Sequence, residues 1–330
     1  MIISRTPFRI SFAGGGTDLK AFYGREFGSV LSTAIDKYMY IIVKNRFDSS
    51  IRISYSITEI VESVEDVQHP IVRECLKLTG VHSSIEITSI ADIPSGTGLG
   101  SSSSFTVGLL HALYAFQGIY VSAERLAKEA CKVEIEILGE PIGKQDQYIA
   151  AFGGCQHISF HPDEEVNVEP IIFTNDSKNR LESKLLLFYL GVTRSASNIL
   201  REQTANIKED NSKFEILRQM RDQSLELKDI LQRKENYDDV GRLLNDGWIM
   251  KSKLSNGISN DHIEHSYNSA LKNGAIGGKV LGAGGGGFLL LYANDTEHKR
   301  IRNALNELRE VPFSIGKSGS KIIFVGEDSI

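Results

Sequence analysis

Cysteine is scarce: Cys75, Cys131 and Cys155 are the only three in 330 residues. An odd, widely spaced set with no CxxC spacing excludes a disulfide framework and reads as free thiols in a reducing compartment. Positive charge is not in excess either. There are 37 Lys and Arg against 42 Asp and Glu, a net charge of −5, and the basic residues are scattered. A nucleic-acid partner would need a basic stripe, so none is expected. No apolar run approaches the ~18 residues that would cross a bilayer, so no membrane partner is expected. The opening MIISRTPFRISF lacks a long apolar core followed by a small-residue cleavage site, and the expected location is cytoplasmic. Metal-ligand spacing is absent among the eight histidines. His157 and His161 stand four apart, but in a strand-to-loop stretch where that spacing brings no convergence. The single tryptophan, Trp248, sits among Leu, Ile and Met at helical spacing and reads as helix core.

What remains is an ordinary globular composition on a chain long enough for about two domains of ~150 residues. Alternating or β-branched runs predict strands in the first 13 residues up to Gly14–Gly16, in VLSTAIDKYMYIIVKNRF, in IRISYSI and in SSIEITSIADIP. Helices are predicted over 70–79, starting near Pro70, over Phe105–Phe116, and over Arg125–Leu138 with Ser122 as N-cap. A polar, proline-containing stretch from His161 to Lys184 places a boundary near 175, giving units 1–175 and 176–330. The second unit reads as a strand (KLLLFYLG) and a mostly helical stretch over 195–272, whose charge-rich part (201–240) is solvated helix faces. It closes with AIGGKVLG and GGFLLLYA as strands, a helix over 295–309, and VPFSI and KIIFVG as strands. Both units are of α+β class, with no internal repeat.

PSGTGLGSSSSF (94–105) then stands out. It joins a strand to an apolar helix within one unit, so it is not a linker between domains. Gly96, Gly98 and Gly100 allow close backbone approach, the helix N-terminus offers unpaired N–H groups, and the hydroxyls of Ser101–Ser104 add donors or ligate a cation. The reading is a phosphate loop, with a plain structural loop as the alternative. It is not a P-loop: GKS occurs at 316–318, but five residues before Gly316 stands Val311. Gly282, Gly284 and Gly287 spell GxGxxG, yet a strand follows where a dinucleotide fold needs a helix. HRD and DFG are absent, which removes the protein kinases.

Three glycine-rich elements in this order, FAGGGTDL (12–19), PSGTGLGSSSS (94–104) and LGAGGGGF (281–288), carry a resemblance. The chain resembles the GHMP small-molecule kinases, whose three motifs correspond to TPFRISFAGGGTD, PSGTGLGSSSS and LGAGGGGF. The resemblance implies a two-domain GHMP kinase fold: an N-terminal domain with a left-handed β-α-β unit, against the usual handedness, and a ferredoxin-like C-terminal domain. ATP and the acceptor would share the cleft between them. It also implies ATP and Mg²⁺ as cofactors, with Pro94, Gly96, Gly98, Leu99, Gly100 and Ser101 to Ser104 (Ser102 and Ser103 included) around the phosphates. Ser102 is the implied metal-facing hydroxyl. Glu134, by its spacing to GEPIGKQD, is the implied metal carboxylate, with Glu136 as its neighbouring competitor. Asp146 in GKQDQ stands where the family places its catalytic aspartate, and Arg9 is its basic partner.

For the acceptor, the first loop ends in Thr17–Asp18, and a carboxylate suits vicinal sugar hydroxyls. The galactose-specific members of the family read GEHTD where this chain reads GGGTD. Its motifs look most like members that phosphorylate the anomeric hydroxyl of a heptose 7-phosphate, with fucokinase-type domains close behind. A small-molecule sugar or sugar phosphate is thus the expected partner, assigned to Gly15, Gly16, Thr17, Asp18, Gly284 and Gly285. A sugar phosphate needs a second anion site. Arg194 with Ser195 and Ser197 at a helix start suits one chemically, and a surface residue or salt-bridge partner is the equal alternative. A homodimer is left open, as is a non-catalytic sensor on the same fold, although such a sensor would not need Asp146 and the loop serines.

Overall fold

The computed structural model describes residues 1–191, 196–233 and 237–326. The apolar alternation at the start forms two long antiparallel strands, β1 (Ile2–Ala13) and β2 (Gly28–Asn45). At 18 residues β2 outlasts any one neighbour on its other side. Gly28–Thr33 pair with β6 (Cys155–Phe160), whereas Met39–Asn45 pair with β5 (Ile85–Ala91). β3 (Ile51–Ser54) runs parallel to β5, β4 (Thr58–Val61) lies antiparallel to β3, and β7 (Val166–Pro170) edges β6. The eighth strand of this sheet, β12 (Lys321–Val325), arrives from the other end of the chain and pairs antiparallel with β1.

Helices α1 (Lys20–Tyr23), α2 (Pro70–Thr79), α3 (Ser101–Phe116), α4 (Ala123–Cys131), α5 (Gln145–Phe152) and α6 (Asn175–Glu182) accompany this sheet. α2 opens with Pro70 in its first turn, where the missing N–H costs nothing, and stops at Gly80 in the left-handed conformation (φ 72°). Ser122 caps α4 as expected, its Oγ accepting from Arg125 N at 3.2 Å. The helix predicted to run to Leu138 changes character at Lys132, where a six-residue π-helical turn, Lys132–Ile137, takes over. The wider turn directs Glu134 inwards, and such insertions recur at functional sites.

The second sheet is antiparallel, in the order β11 (Arg309–Glu310), β8 (Leu185–Tyr189), β10 (Phe288–Ala293), β9 (Ala275–Val280). Helices α7 (Ala196–Glu209), α8 (Asn211–Arg233), α9 (Asp238–Ser252), α10 (Asp261–Lys272) and α11 (His298–Ala304) belong to this half. VPFSI is not a strand: only Arg309–Glu310 pair with β8, and Ile315 makes a single bridge to Ile35. Pro312 has no N–H for a ladder, and the segment is crossing from one sheet to the other. The helix expected over 295–309 is shorter, a 3₁₀ turn at Asp295–Glu297 leading into α11.

One core runs from the first sheet and α2–α4 through to Leu281, Phe288 and Leu290, so the two halves share buried apolar contacts. A second gathers Phe22, Phe188 and Phe214 with Trp248, which is core as read from its spacing. All three cysteines are free and buried. No helix among the described residues is long and apolar enough to cross a membrane.

Candidate active site

The site lies in a cleft of about 950 Å³ lined from both halves. Its floor is the start of α3. Gly100 at the N-cap is left-handed (φ 75°), and no side chain caps the helix. The first-turn N–H groups therefore point towards the cleft with the positive end of the helix dipole behind them. The loop leading in is pressed against the third glycine loop. A Cβ on Gly98, itself at φ +83°, would meet Leu281 O at 2.7 Å, and one on Gly282 would meet the Cα of Gly98 at 2.5 Å. Side chains on either loop would force the two apart.

Arg9 reaches this floor from β1, whose pairing with β2 shifts register between Pro7 and Arg9. Such irregularities re-aim a side chain. Its guanidinium grips Asp146 with two parallel bonds, Nε to Oδ1 at 2.7 Å and Nη2 to Oδ2 at 2.8 Å, and Nη1 donates to Gly98 O. This fork geometry is specific to arginine and fixes the carboxylate plane. Asp146 sits in the first turn of α5. The preceding residue, Gln145, holds Asp18: Oδ2 accepts its N–H at 3.2 Å and its Nε2 at 3.1 Å, while Oδ1 accepts Gly16 N–H at 2.9 Å. Gly143 has no room for a side chain, because a Cβ would lie 2.0 Å from Asp18 Oδ2. Burial, with the nearby Asp146 charge, pushes the Asp18 carboxyl pKa up.

Glu134 is fully buried, and its carboxylate accepts Ser102 Oγ–H at 2.5 Å and Gln147 Nε2–H at 2.7 Å. Burial raises its pKa, against the lowering effect of those donors. Glu136 is exposed, so the inward carboxylate of the pair is Glu134. Ser102 and Glu134 are thus brought together by a hydrogen bond. Among the described residues no group of three or more His, Cys, Asp or Glu is placed to hold a metal.

Arg9, Gly15, Gly16, Asp18, Pro94, Gly96, Gly98, Gly100, Ser101, Ser102, Ser103 and Asp146 all line the cleft. Other expected site residues are placed elsewhere. Thr17 is buried, its hydroxyl donating to Gly14 O and Ser29 O, so it ties the first loop to β2. Ser104 donates to Pro7 O at 2.8 Å, bracing α3 on β1. Leu99 has a buried side chain and contributes its carbonyl to Arg9 N–H at 3.0 Å. Gly284 and Gly285 pack on Ile258, Gly285 N–H bonding Ile258 O at 2.8 Å, and Gly282 and Ala283 line the cleft instead. Arg194 and Ser195 lie outside the described residues, whereas Ser197 does line the cleft and donates to Glu140 at 3.1 Å.

The sequence reading missed Gln145 and Gln147, the supports of Asp18 and Glu134, and two buried lysines that also line the cleft, Lys251 and Lys279. Lys279 had a signal: it is the one charged residue in the strand AIGGKV.

The family profile described as GHMP kinases N terminal domain matches residues 65–154, and that described as GHMP kinases C terminal matches 227–310. A protein of Campylobacter jejuni subsp. jejuni named D-glycero-alpha-D-manno-heptose 7-phosphate kinase is 30% identical over 97% of this chain and 98% of its own. A crystal structure of a D-glycero-D-manno-heptose 1-phosphate kinase from Bacteroides thetaiotaomicron superposes with a TM-score of 0.83 at 23% identity, covering 99% of this chain and 100% of the other. That of a sugar kinase from Campylobacter jejuni, described as putative, gives 0.76 at 27% identity, covering 98% of each chain. The match therefore runs through both halves and the cleft they share, and the chain belongs to the GHMP kinases, ATP-dependent phosphotransferases with an alcohol group as acceptor.

Proposed function

We propose that this kinase transfers the γ-phosphoryl group of ATP to a sugar, at the anomeric hydroxyl of D-glycero-D-manno-heptose 7-phosphate, giving the 1,7-bisphosphate. The observation that carries this reading is the end-to-end similarity to the Campylobacter relative of that name. The donor set supports Mg²⁺ as the metal: a hydroxyl and one carboxylate are hard oxygen ligands, and Mg²⁺ is usually held by one or two carboxylates plus substrate phosphates. Ser102 and Glu134 would hold it, and when bound it neutralises charge on the phosphates.

The chain's own residues supply position and proton handling. The backbone around Gly96, Gly98 and Gly100 cradles the phosphates against the start of α3. Arg9 holds Asp146 in one orientation, and Asp146 receives the acceptor's hydroxyl proton or aims that hydroxyl in line. Asp18, held by Gln145 and Gly16, takes neighbouring sugar hydroxyls.

Three measurements test this reading. ADP release across a panel of heptose 7-phosphate, galactose and fucose should give the heptose phosphate a kcat/KM at least about 10²-fold above the others. ³¹P NMR of its product should show a new anomeric phosphate, and galactose or fucose turning over best would overturn the acceptor. Gly98→Ala forces a side chain into a left-handed conformation costing ~1–2 kcal/mol, before counting the approach to Leu281. Calorimetric titration should show nucleotide binding roughly tenfold weaker, and wild-type affinity would remove Gly98 from the cradle.

A further inference from the structure

Two lysines face the cleft without a carboxylate to answer them. Lys279 on β9 is 4% exposed and Lys251 on α9 is 7% exposed, and both line the cavity. Lysine is almost never this buried unless paired, yet among the described residues neither forms a salt bridge. Their partners are carbonyls: Phe12 O for Lys279 at 3.0 Å, and Val280 O at 3.2 Å and Gly282 O for Lys251. An ammonium has three donors, so these bonds leave two unanswered on Lys279 and one on Lys251.

The charges around them do not cancel. Arg9 and Asp146 neutralise each other, and Glu134 is engaged by Ser102 and Gln147. Asp18 favours the Lys251 ammonium from a distance but is itself bound by Gly16 and Gln145. Burial depresses both lysines, helped by Lys279 and Arg9 at Lys251 and by Arg9 at Lys279, taking Lys251 well below its usual range and Lys279 to about 7. With no carboxylate beside them the ammonium forms are disfavoured, and an anion entering the cleft would reverse that depression and be held by the restored charge.

The carbonyls they hold fix where that place is. Gly282 abuts Gly98 in the phosphate cradle, and Phe12 leads into the Gly14–Gly16 turn beside Asp18. The pair stands between the nucleotide side and the acceptor side. We propose that Lys251 and Lys279 form an anion subsite of the cleft that receives phosphoryl oxygens. Two sources share this chemistry, a phosphate ester on the acceptor and the phosphoryl group being transferred. The inference rests on the reading of this chain as a phosphotransferase but not on the identity of its acceptor, and none of the probes below is an acceptor sugar.

The test compares wild type with Lys251→Met and Lys279→Met by calorimetric titration. Inorganic phosphate is titrated with MgADP already bound, and MgADP and its γ-imido triphosphate analogue are titrated separately. Loss of a hydrogen bond to a charged group predicts about 10- to 100-fold weaker binding. Weakening confined to inorganic phosphate assigns the subsite to the acceptor's phosphate. Weakening of the triphosphate analogue relative to MgADP assigns it to the transferred group. Folded variants that bind all three probes as wild type does overturn the proposal and leave the lysines as braces for the Phe12 and Gly282 backbone. Should neither variant fold, the wild-type chain labelled with ¹⁵N-lysine decides. Buried ammonium resonances that shift with phosphate or the analogue support the subsite, and resonances that stay put overturn it.

Discussion

Asp146→Asn should lower kcat by about 10²–10⁴-fold, the usual contribution of a positioned base, and leave nucleotide affinity nearly unchanged. The substitution keeps the side chain's shape but removes its capacity to take a proton. It also disturbs the clamp. Both carboxylate oxygens accept from Arg9, at 2.7 and 2.8 Å, and an amide nitrogen in one of those positions would set a donor against a donor. The effect should therefore fall on the chemical step, because Asp146 packs beside Gly100 but is linked by hydrogen bonds to the glycine loop through Arg9, whose Nη1 holds Gly98 O. Steady-state kinetics paired with a nucleotide titration checks this. An unchanged kcat would remove Asp146 from the reaction, and a matching loss of nucleotide affinity would make it part of the cradle instead.

Glu134→Gln should raise the Mg²⁺ concentration needed for half-maximal activity by at least about 10- to 100-fold, the cost seen even for residues one step removed from a metal. Glu134 is fully buried and accepts from neutral side chains, Ser102 and Gln147 among them. The amide can accept on only one side, so either Ser102 or Gln147 loses its acceptor, and the carboxylate beside Ser102 is lost. Glu136→Gln is the built-in control: that residue is exposed, and its replacement should leave the Mg²⁺ dependence within about twofold, as for surface substitutions generally. A Mg²⁺ titration of kcat measures both variants. Equal curves for wild type and Glu134→Gln would dismiss the carboxylate as a ligand and leave it as a support for α3.

Local chemistry was legible and long-range placement was not. Pro70 at the start of α2, Gly80 at its end and Ser122 before α4 mark helix boundaries through backbone hydrogen bonding within a few residues, so sequence alone finds them. The three glycine loops were legible for the same reason, since a left-handed residue needs glycine wherever the loop ends up. Which hydroxyl of a serine or threonine run faces a ligand depends on the helix's rotation against its sheet. Ser102 turns to the cleft while Ser104, two residues on, turns to Pro7. Thr17 and Asp18 divide likewise, one to β2 and one to Gln145. Glu134 and Glu136 are two apart on what reads as an ordinary helix, and only the π-helical turn decides which is inside. Lys251 escaped because a lysine near the end of a helix normally reads as a favourable last-turn charge. Its burial depends on β9 and the third glycine loop, which lie some thirty residues further on.

The pairing of β12 with β1 bears on how the protein is made. Ile2 and Ile3 find their partners in Val325 and Phe324, so β1 waits for a strand translated roughly three hundred residues after it. Throughout synthesis of the intervening chain, the outer edge of β1 offers unpaired N–H and C=O groups beside apolar side chains, the kind of edge on which partly made proteins associate. The nucleotide-side sheet is therefore sealed only once the other half has been translated. A ribosome that stalls in α10 or β10 releases a chain carrying the whole phosphate loop on a sheet with an open seam.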